Sequence, residues 1–412
     1  MTSERQKVNL LSSLYSLSTL QLVTYLLPLI TIPYLVQTLG VEAFGMIMFA
    51  HAVIMFINLL VDYGFILSAT KDISTYRDNT EKVTEIISSV LILKFILTVL
   101  SFLILSVLIY SIESFSAELY YATFLIVVGQ AFFPIWYFQG IEKMKTIMLI
   151  NIGAKTFFTI MIFFLVKEEG DYIYVPLLNG TGSVVSAIAS IIIIKFVFKQ
   201  EIKFYNQRIV FKYFKKSTKY FISRIANAGN HYYLIMMVGA IYGNTIVGYF
   251  SMAERLLGAF NMGVQPISQA LYPYIVKTRD LKLFKVFYTI TVIVFWVLTS
   301  LLLVFSTPIL QFIYGDVANL TVDMFRILFL STFFSVTNIM IGYPLLGAMG
   351  FSDKANLGNI YGALVSSTYI TVCFYIESHV LVIIYALLIN DVVSSLYRGY
   401  FVKEKILKNE LL

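Results

Sequence analysis

Four basic residues, Lys94, Lys155, Arg224 and Arg255, lie deep inside runs of sequence that are otherwise almost wholly apolar. The acids that could neutralise them there are few, chiefly Asp62, Glu254 and Asp391. An uncompensated cation in an apolar surround is unfavourable, so such residues imply a wet cavity or an anionic ligand. A phosphate or diphosphate would suit them, because charge-assisted hydrogen bonds are strong where the dielectric is low. Long basic side chains near the end of an apolar run can instead reach out to a headgroup, a reading that applies most to Arg224. Arg326 is set aside, because Asp323 lies one turn away and the pair reads as an anchor near the outer surface. Arg398 reads as a cytoplasmic anchor.

Polar residues also recur at helical spacing. His51, Asn58 and Asp62 are seven and four apart, so they share one helix face. A shift of 203 residues carries them onto Glu254, Asn261 and Gln265, and carries Gln21 and Thr24 onto Arg224 and Asn227, with His231 extending that stripe. Lys94 shares a face with Thr98 and Ser101, and Lys155 with Asn151 and Thr159. The stripes read as the lining of a shared central cavity, with helix-to-helix hydrogen bonding as the competing use of the same residues.

The elements that must carry these residues are membrane helices. Of 412 residues 59% are hydrophobic and 13% charged, about half the charge of a soluble domain. A bilayer core needs roughly 20 apolar residues per helix. The apolar runs predict spans near 10–38, 43–68, 83–110, 117–138, 146–166, 172–194, 218–240, 245–276, 286–314, 321–346, 355–375 and 379–401. Their length and lack of two-residue alternation favour helices over a barrel. Met1–Val8 is polar and the apolar run after it outlasts a leader's, so a first span is expected rather than a signal peptide. With a cytoplasmic N-terminus, nearly all basic residues outside the spans fall in inward segments, and the outward loops hold Lys167 alone. This segregation sets the orientation, with both termini cytoplasmic.

The basic stretch near 195–217 divides the chain. We expect an N-terminal six-helix bundle over 1–197, a basic cytoplasmic linker over 198–217 and a C-terminal six-helix bundle over 218–412. The 203 shift aligns Gly40-x4-Gly45 with Gly243-x4-Gly248, and a shift of 210 aligns Pro134-x5-Gly140 with Pro344-x5-Gly350. Matches at the same topological place in both halves indicate a parallel internal repeat, with substrate held between halves that rock. The fold class is therefore an all-α membrane protein of about twelve helices. Pro28, Pro33, Pro266, Pro273, Pro308 and Pro344 would bend helices in or near the spans.

Other chemistry is excluded by what is missing. Cys373 is alone, His51, His231 and His379 lack the HExxH spacing, and no GxxxxGK[ST] occurs. No cofactor, metal site or nucleotide site is expected, and no enzyme activity. Vectorial transport would then draw on an ion gradient or on removal of product outside. Asp62, Glu254 and His51 are the coupling candidates, with proton antiport preferred over sodium coupling or downhill movement. The substrate candidates are Arg255, Lys155, Arg224, Lys94, Gln21 and Asn227.

Three runs carry a family likeness: Pro33-Tyr34-Leu35-x4-Gly40, Asp62-Tyr63-Gly64-Phe65, and Phe133-Pro134-Ile135-Trp136-Tyr137-Phe138-Gln139-Gly140. With two six-helix halves, they make the chain resemble the bacterial polysaccharide transporters. These are the O-antigen flippases (Wzx) of the multidrug/oligosaccharidyl-lipid/polysaccharide superfamily. The resemblance implies flipping of an undecaprenyl-diphosphate-linked oligosaccharide, an O-antigen or capsule unit, towards the periplasm through a cationic lumen. It implies as partners that lipid-linked substrate, membrane lipids, and a polysaccharide polymerase with chain-length proteins, and no nucleic acid. A multidrug exporter of the same superfamily is an alternative, although it would favour an acidic or neutral cavity. A membrane glycosyltransferase or polysaccharide polymerase is another, although the outward loops are short and no Asp-x-Asp occurs. The orientation is directly testable. A cysteine at Ser114 should be labelled from the periplasm and one at Asn206 only after permeabilisation; the reverse would invert every loop assignment.

Overall fold

A computed structural model describes the backbone of residues 2–407 and the side chains of residues 29–404, Ser223 and Asn227 excepted. The described chain is helical, with no strand, and forms two compact units, Met1–Ile225 and Ala226–Leu412. The first holds α1 (Thr2–Asp62), α2 (Phe65–Tyr76), α3 (Thr80–Ser111), α4 (Ala117–Phe132), α5 (Ile135–Gly140), α6 (Met144–Leu165), α7 (Tyr174–Phe196) and α8 (Gln207–Arg224). The second holds α9 (Asn230–Tyr242), α10 (Asn244–Met262), α11 (Gln265–Thr278), α12 (Leu281–Val304), α13 (Ser306–Tyr314), α14 (Asn319–Leu330), α15 (Thr332–Met340), α16 (Ser352–Tyr375) and α17 (Val380–Phe401). Wider π-helical turns occupy Ile225–Gly229, Ile341–Gly347 and Val402–Leu407.

Among the described residues, nine helices are long and apolar enough to cross a membrane. The first two expected spans merge into one helical stretch in this count, Leu29–Tyr76, and α8 to α11 do not qualify because they are shorter or more polar. The chain is thus a multi-pass membrane protein, and the count of twelve spans is an expectation. The division also differs from the expected one. Residues 207–224, expected as linker and the start of a span, form α8 of the first unit. Its Val210, Tyr213 and Ser217 are buried, at spacings of three and four. Ser217 hydrogen-bonds Ser68 of α2 at 2.6 Å, and the Tyr213 hydroxyl donates to Glu85 of α3 at 2.7 Å. Burial first, then that bond, pushes the Tyr213 phenol well above its ordinary range. A basic amphipathic run reads as a solvated linker until its packed face is seen.

The repeat has a local signature in each unit. Gly40 bends α1 at φ 77, ψ 164, and Gly243 separates α9 from α10 at φ 84, ψ 176. This backbone region is essentially glycine-only, which explains why the 203 shift preserves these two residues. The second motif also bends the chain. Tyr63 (φ 41) and Gly64 (φ 74) form a left-handed turn between α1 and α2. The Tyr63 ring stacks on Phe214 and Phe221 of α8 at 4.3 and 4.4 Å. A Cβ on Gly64 would lie 2.6 Å from Tyr220 Cβ and 2.8 Å from the Phe221 nitrogen, so the motif is a docking seat for α8. In the third motif Trp136, Tyr137 and Phe138 are all buried, and a Cβ on Gly140 would strike Ile73. Its aromatics therefore pack the unit rather than meet sugar.

Helix α4 lies against α7 through small residues, the usual device for close approach in lipid. A Cβ on Gly129 would be 2.4 Å from the Ser183 backbone, and one on Gly180 would be 2.5 Å from Leu125 Cβ. Gly153 of α6 faces open space. Gly129→Ala should therefore destabilise by about 1–3 kcal/mol through overpacking, read as a lower thermal midpoint in detergent. Gly153→Ala should leave the midpoint unchanged or raise it. Equal behaviour of the two variants would contradict the packing.

Candidate functional site

In the first unit the site is built around the end of α1. Asp62 is the last residue of that helix, buried, with Oδ2 3.0 Å from Arg224 Nε of α8. The N–H is not aligned for a hydrogen bond, so the contact is one of charge. Lys94 of α3 is 3% exposed, and the charges that act on it are Asp62, which attracts it, and Arg224, which repels it. Arg224 thus lies against the Asp62 carboxylate while partly exposed, and Lys94, buried in α3, lies within electrostatic reach of both. Thr98 and Ser101 continue the buried face of α3, and the Thr98 hydroxyl donates to the Lys94 carbonyl at 2.7 Å. The expected face of Lys94, Thr98 and Ser101 is real and turned inward.

Lys155 on α6 is half-buried, with no carboxylate within 4 Å among the described residues. Asn151, one turn before it, is buried, and its Oδ1 has no hydrogen-bond partner there. Asn58 donates to Gln130 Oε1 of α4 at 2.8 Å, so this member of the first stripe joins two helices. His51 is half-buried and held by contacts within the protein. Gln21 and Asn227 lie outside the described side chains.

In the second unit Glu254 of α10 has two basic neighbours. His231 Nε2 of α9 is 3.7 Å from Oε1, and Arg255 Nε is 3.9 Å from Oε2. Adjacent helix positions point about 100° apart, yet these two long side chains curl back towards each other. Buried Tyr314 stands beside them and donates to the Met252 carbonyl at 3.0 Å. Ser335 of α15 donates to Asn261 Oδ1 at 2.9 Å. Asn58 and Asn261, related by the 203 shift, thus both bond a neighbouring helix of their own unit.

Arg398 requires a correction. It was expected as a cytoplasmic anchor, but it is 5% exposed within the second unit. Its guanidinium donates to the Ala355 carbonyl at 3.2 and 2.7 Å, to the Asn338 carbonyl at 2.8 Å and to Asn359 Oδ1 at 2.6 Å. A Cβ on Gly358 would lie 3.1 Å from Arg398, so the glycine makes room for it. Asn338 Nδ2 donates to the Asp391 carbonyl at 2.9 Å. The signal for this hub was in the sequence: Asp391 and Arg398 are seven apart, on one face of α17. Arg326 pairs with Asp323 at 3.6 Å and donates to Ser306 Oγ at 2.9 Å.

These features, a multi-pass helical bundle in two units with charges held inside each, define a membrane-transporter class of fold. The chain belongs to the family described as polysaccharide biosynthesis protein, which matches residues 10–279. It is 31% identical over 284 residues to the "Putative O-antigen transporter" of Escherichia coli (strain K12), covering 68% of each chain. It is 27% identical over 314 residues to the protein of that name from Shigella dysenteriae, covering 74% of this chain and 78% of that one. Two solved structures share the fold at low identity. One is a multidrug resistance MATE family transporter of the MOP superfamily in its inward-facing conformation (TM-score 0.72, 13% identity, 96% of this chain and 99% of that). The other is the lipid II flippase MurJ in an inward closed conformation (TM-score 0.71, 18% identity, 97% and 89%).

The Asp62 carboxylate gives an asymmetry to measure. Asp62→Asn leaves Arg224 and Lys94 facing each other, whereas Arg224→Gln leaves Asp62 with Lys94. Asp62→Asn should therefore cost more, by about 1–3 kcal/mol; the full effect of a wholly buried pair is not reached, because Arg224 is 40% exposed. Adding Lys94→Gln to Asp62→Asn should recover part of the loss in thermal midpoint. Equal costs for the two single variants would show that Lys94 is not part of the cluster.

Proposed function

We propose that the chain is a flippase, carrying an undecaprenyl-diphosphate-linked oligosaccharide, an O-antigen or capsule repeat unit, from the cytoplasmic to the periplasmic leaflet of a bacterial inner membrane. The observation that carries this reading is the set of cations inside the first unit, where Arg224 lies 3.0 Å from Asp62 and buried Lys94 lies within electrostatic reach of the same carboxylate. Lys155, with no carboxylate near it among the described residues, adds to that set. A diphosphate supplies negative charge, and in an apolar surround its attraction to such cations is strong. A cationic drug would be repelled, which weighs against the multidrug reading. The two relatives named "Putative O-antigen transporter" support the same substrate class, and the same fold occurs in a lipid II flippase.

In this proposal both termini are cytoplasmic, twelve spans form two halves, and movement is by alternating access. Lys94, Lys155, Arg224 and Arg255 attract the diphosphate. Asp62 and Glu254 compete with it for those cations. Protonating either acid frees a cation for substrate, and deprotonating it reclaims the cation and releases substrate, so in this scheme the proton travels with the substrate rather than against it, and a pH gradient sets the rate of the cycle. Proteoliposomes containing a fluorescent lipid-diphosphate sugar test this. Lys155→Ala and Arg255→Ala should each slow flipping at least about tenfold, the worth of one charge-assisted bond, with normal abundance in the membrane. An imposed pH gradient should accelerate the unsubstituted protein, and Glu254→Gln or Asp62→Asn should remove that acceleration. Normal flipping by Arg255→Ala would exclude that residue from the phosphate path, and indifference to the gradient would end the proton mechanism.

A further inference from the structure

Helix α8 carries a second, outward feature that the transport reading does not use. At about 100° per residue, Arg208, Lys212, Lys215 and Lys219 fall within an arc of about 60°. The buried Val210, Tyr213 and Ser217 lie on the opposite side. All four cations are exposed, and none has a carboxylate within 4 Å among the described residues. The acids packed near α8 are already engaged: Asp72 pairs with Lys216, and Glu85 takes Lys82 and Tyr213. Lys219 lies over the neighbouring Tyr220 ring at 5.1 Å, which leaves its charge intact.

Two large apolar side chains flank one edge of this stripe. Phe211 is 61% exposed and Ile222 60% exposed, and both sit about 60° to the same side of the cations. A helix face with cations in one row and a phenylalanine and an isoleucine in the next is suited to the water–lipid boundary. There the apolar row enters the acyl region and the cations stay among headgroups.

We propose that the outer face of α8 binds the headgroups of anionic phospholipids in the adjacent leaflet, with Arg208, Lys212, Lys215 and Lys219 as the phosphate contacts and Phe211 and Ile222 as the apolar anchors. This surface is distinct from the Asp62 cluster, because Arg224 lies on the packed side of the helix, about 140° from Lys219. Binding here is electrostatic, each cation near an anionic surface contributing on the order of a fivefold preference. It weakens as salt shortens the screening length.

The full-length protein, reconstituted in mixed vesicles, allows a test that needs no transport. Cys373 is buried, so a bimane label can be directed to Gln207→Cys at the start of α8, leaving the stripe intact. Phosphatidylglycerol carrying a nitroxide high on its acyl chain should quench this label about fivefold more effectively than the same labelled phosphatidylcholine at low salt. The preference should shrink at high salt. It should vanish when Arg208, Lys212, Lys215 and Lys219 are all replaced by Gln, and survive when the three lysines become Arg. Equal quenching by the two lipids overturns the proposal, as does a preference that persists in the Gln variant. Absence of quenching by either lipid would show the face to be solvated and would overturn it too.

Discussion

The carboxylate of Asp62 is the group on which the interior of the first unit depends. A charge is tolerated in lipid only when a partner is brought to it, and here the partner comes from a helix more than 140 residues further along the chain. Bringing it there is the work of the next two residues. The left-handed turn at Tyr63 and Gly64 ends α1, turns the Tyr63 ring onto Phe214 and Phe221, and leaves no side chain where the α8 backbone passes. The turn that seats α8 thus also delivers Arg224 to Asp62. Lys94, buried in α3, adds a second cation within electrostatic reach of that carboxylate.

The second unit meets the same constraint in two ways. Around Glu254, one acid again has two basic neighbours, His231 and Arg255. Arg398 is held instead by two backbone carbonyls and an asparagine side chain, which take four of its five N–H donors. A buried arginine is therefore not by itself a ligand site. The distinction lies in whether its donors are filled by the protein, and this separates Arg398, a brace between α15, α16 and α17, from the cations around Asp62.

Much of the architecture was legible in the residues. Apolar runs placed helices close to where they occur, because lipid admits few alternatives to a closed hydrogen-bonded helix. The 203 shift found Gly40 and Gly243 because a glycine-only backbone conformation leaves a mark that survives when little else does. Helix breaks inside a run were harder to read: an apolar stretch across Tyr63 and Gly64 looks continuous until the dihedrals are known. Helix α8, which spans the end of the expected linker and the start of the next expected span, was hard to read because its packed side is only a few residues wide and its outer side is strongly basic. For the site, periodicity put Lys94, Thr98 and Ser101 on one inward face, but it does not say which helix lies opposite. Hence the stripes left Asn58 and Asn261 open to cavity lining or helix-to-helix bonding, and each makes a bond to a neighbouring helix. Arg398 looked superficial because proximity to a chain end is not the same as exposure.

The central claim is that the cations around Asp62 exist to hold a diphosphate. Its most direct measurement is equilibrium binding of a water-soluble, short-chain prenyl diphosphate sugar to the purified protein, beside the matching prenyl glycoside without phosphate. The diphosphate should bind more tightly, the difference should fall as salt rises, and Lys94→Gln or Arg224→Gln should remove most of it without changing binding of the neutral compound. Equal affinity for the two compounds, or a diphosphate preference untouched by both substitutions, would contradict that claim.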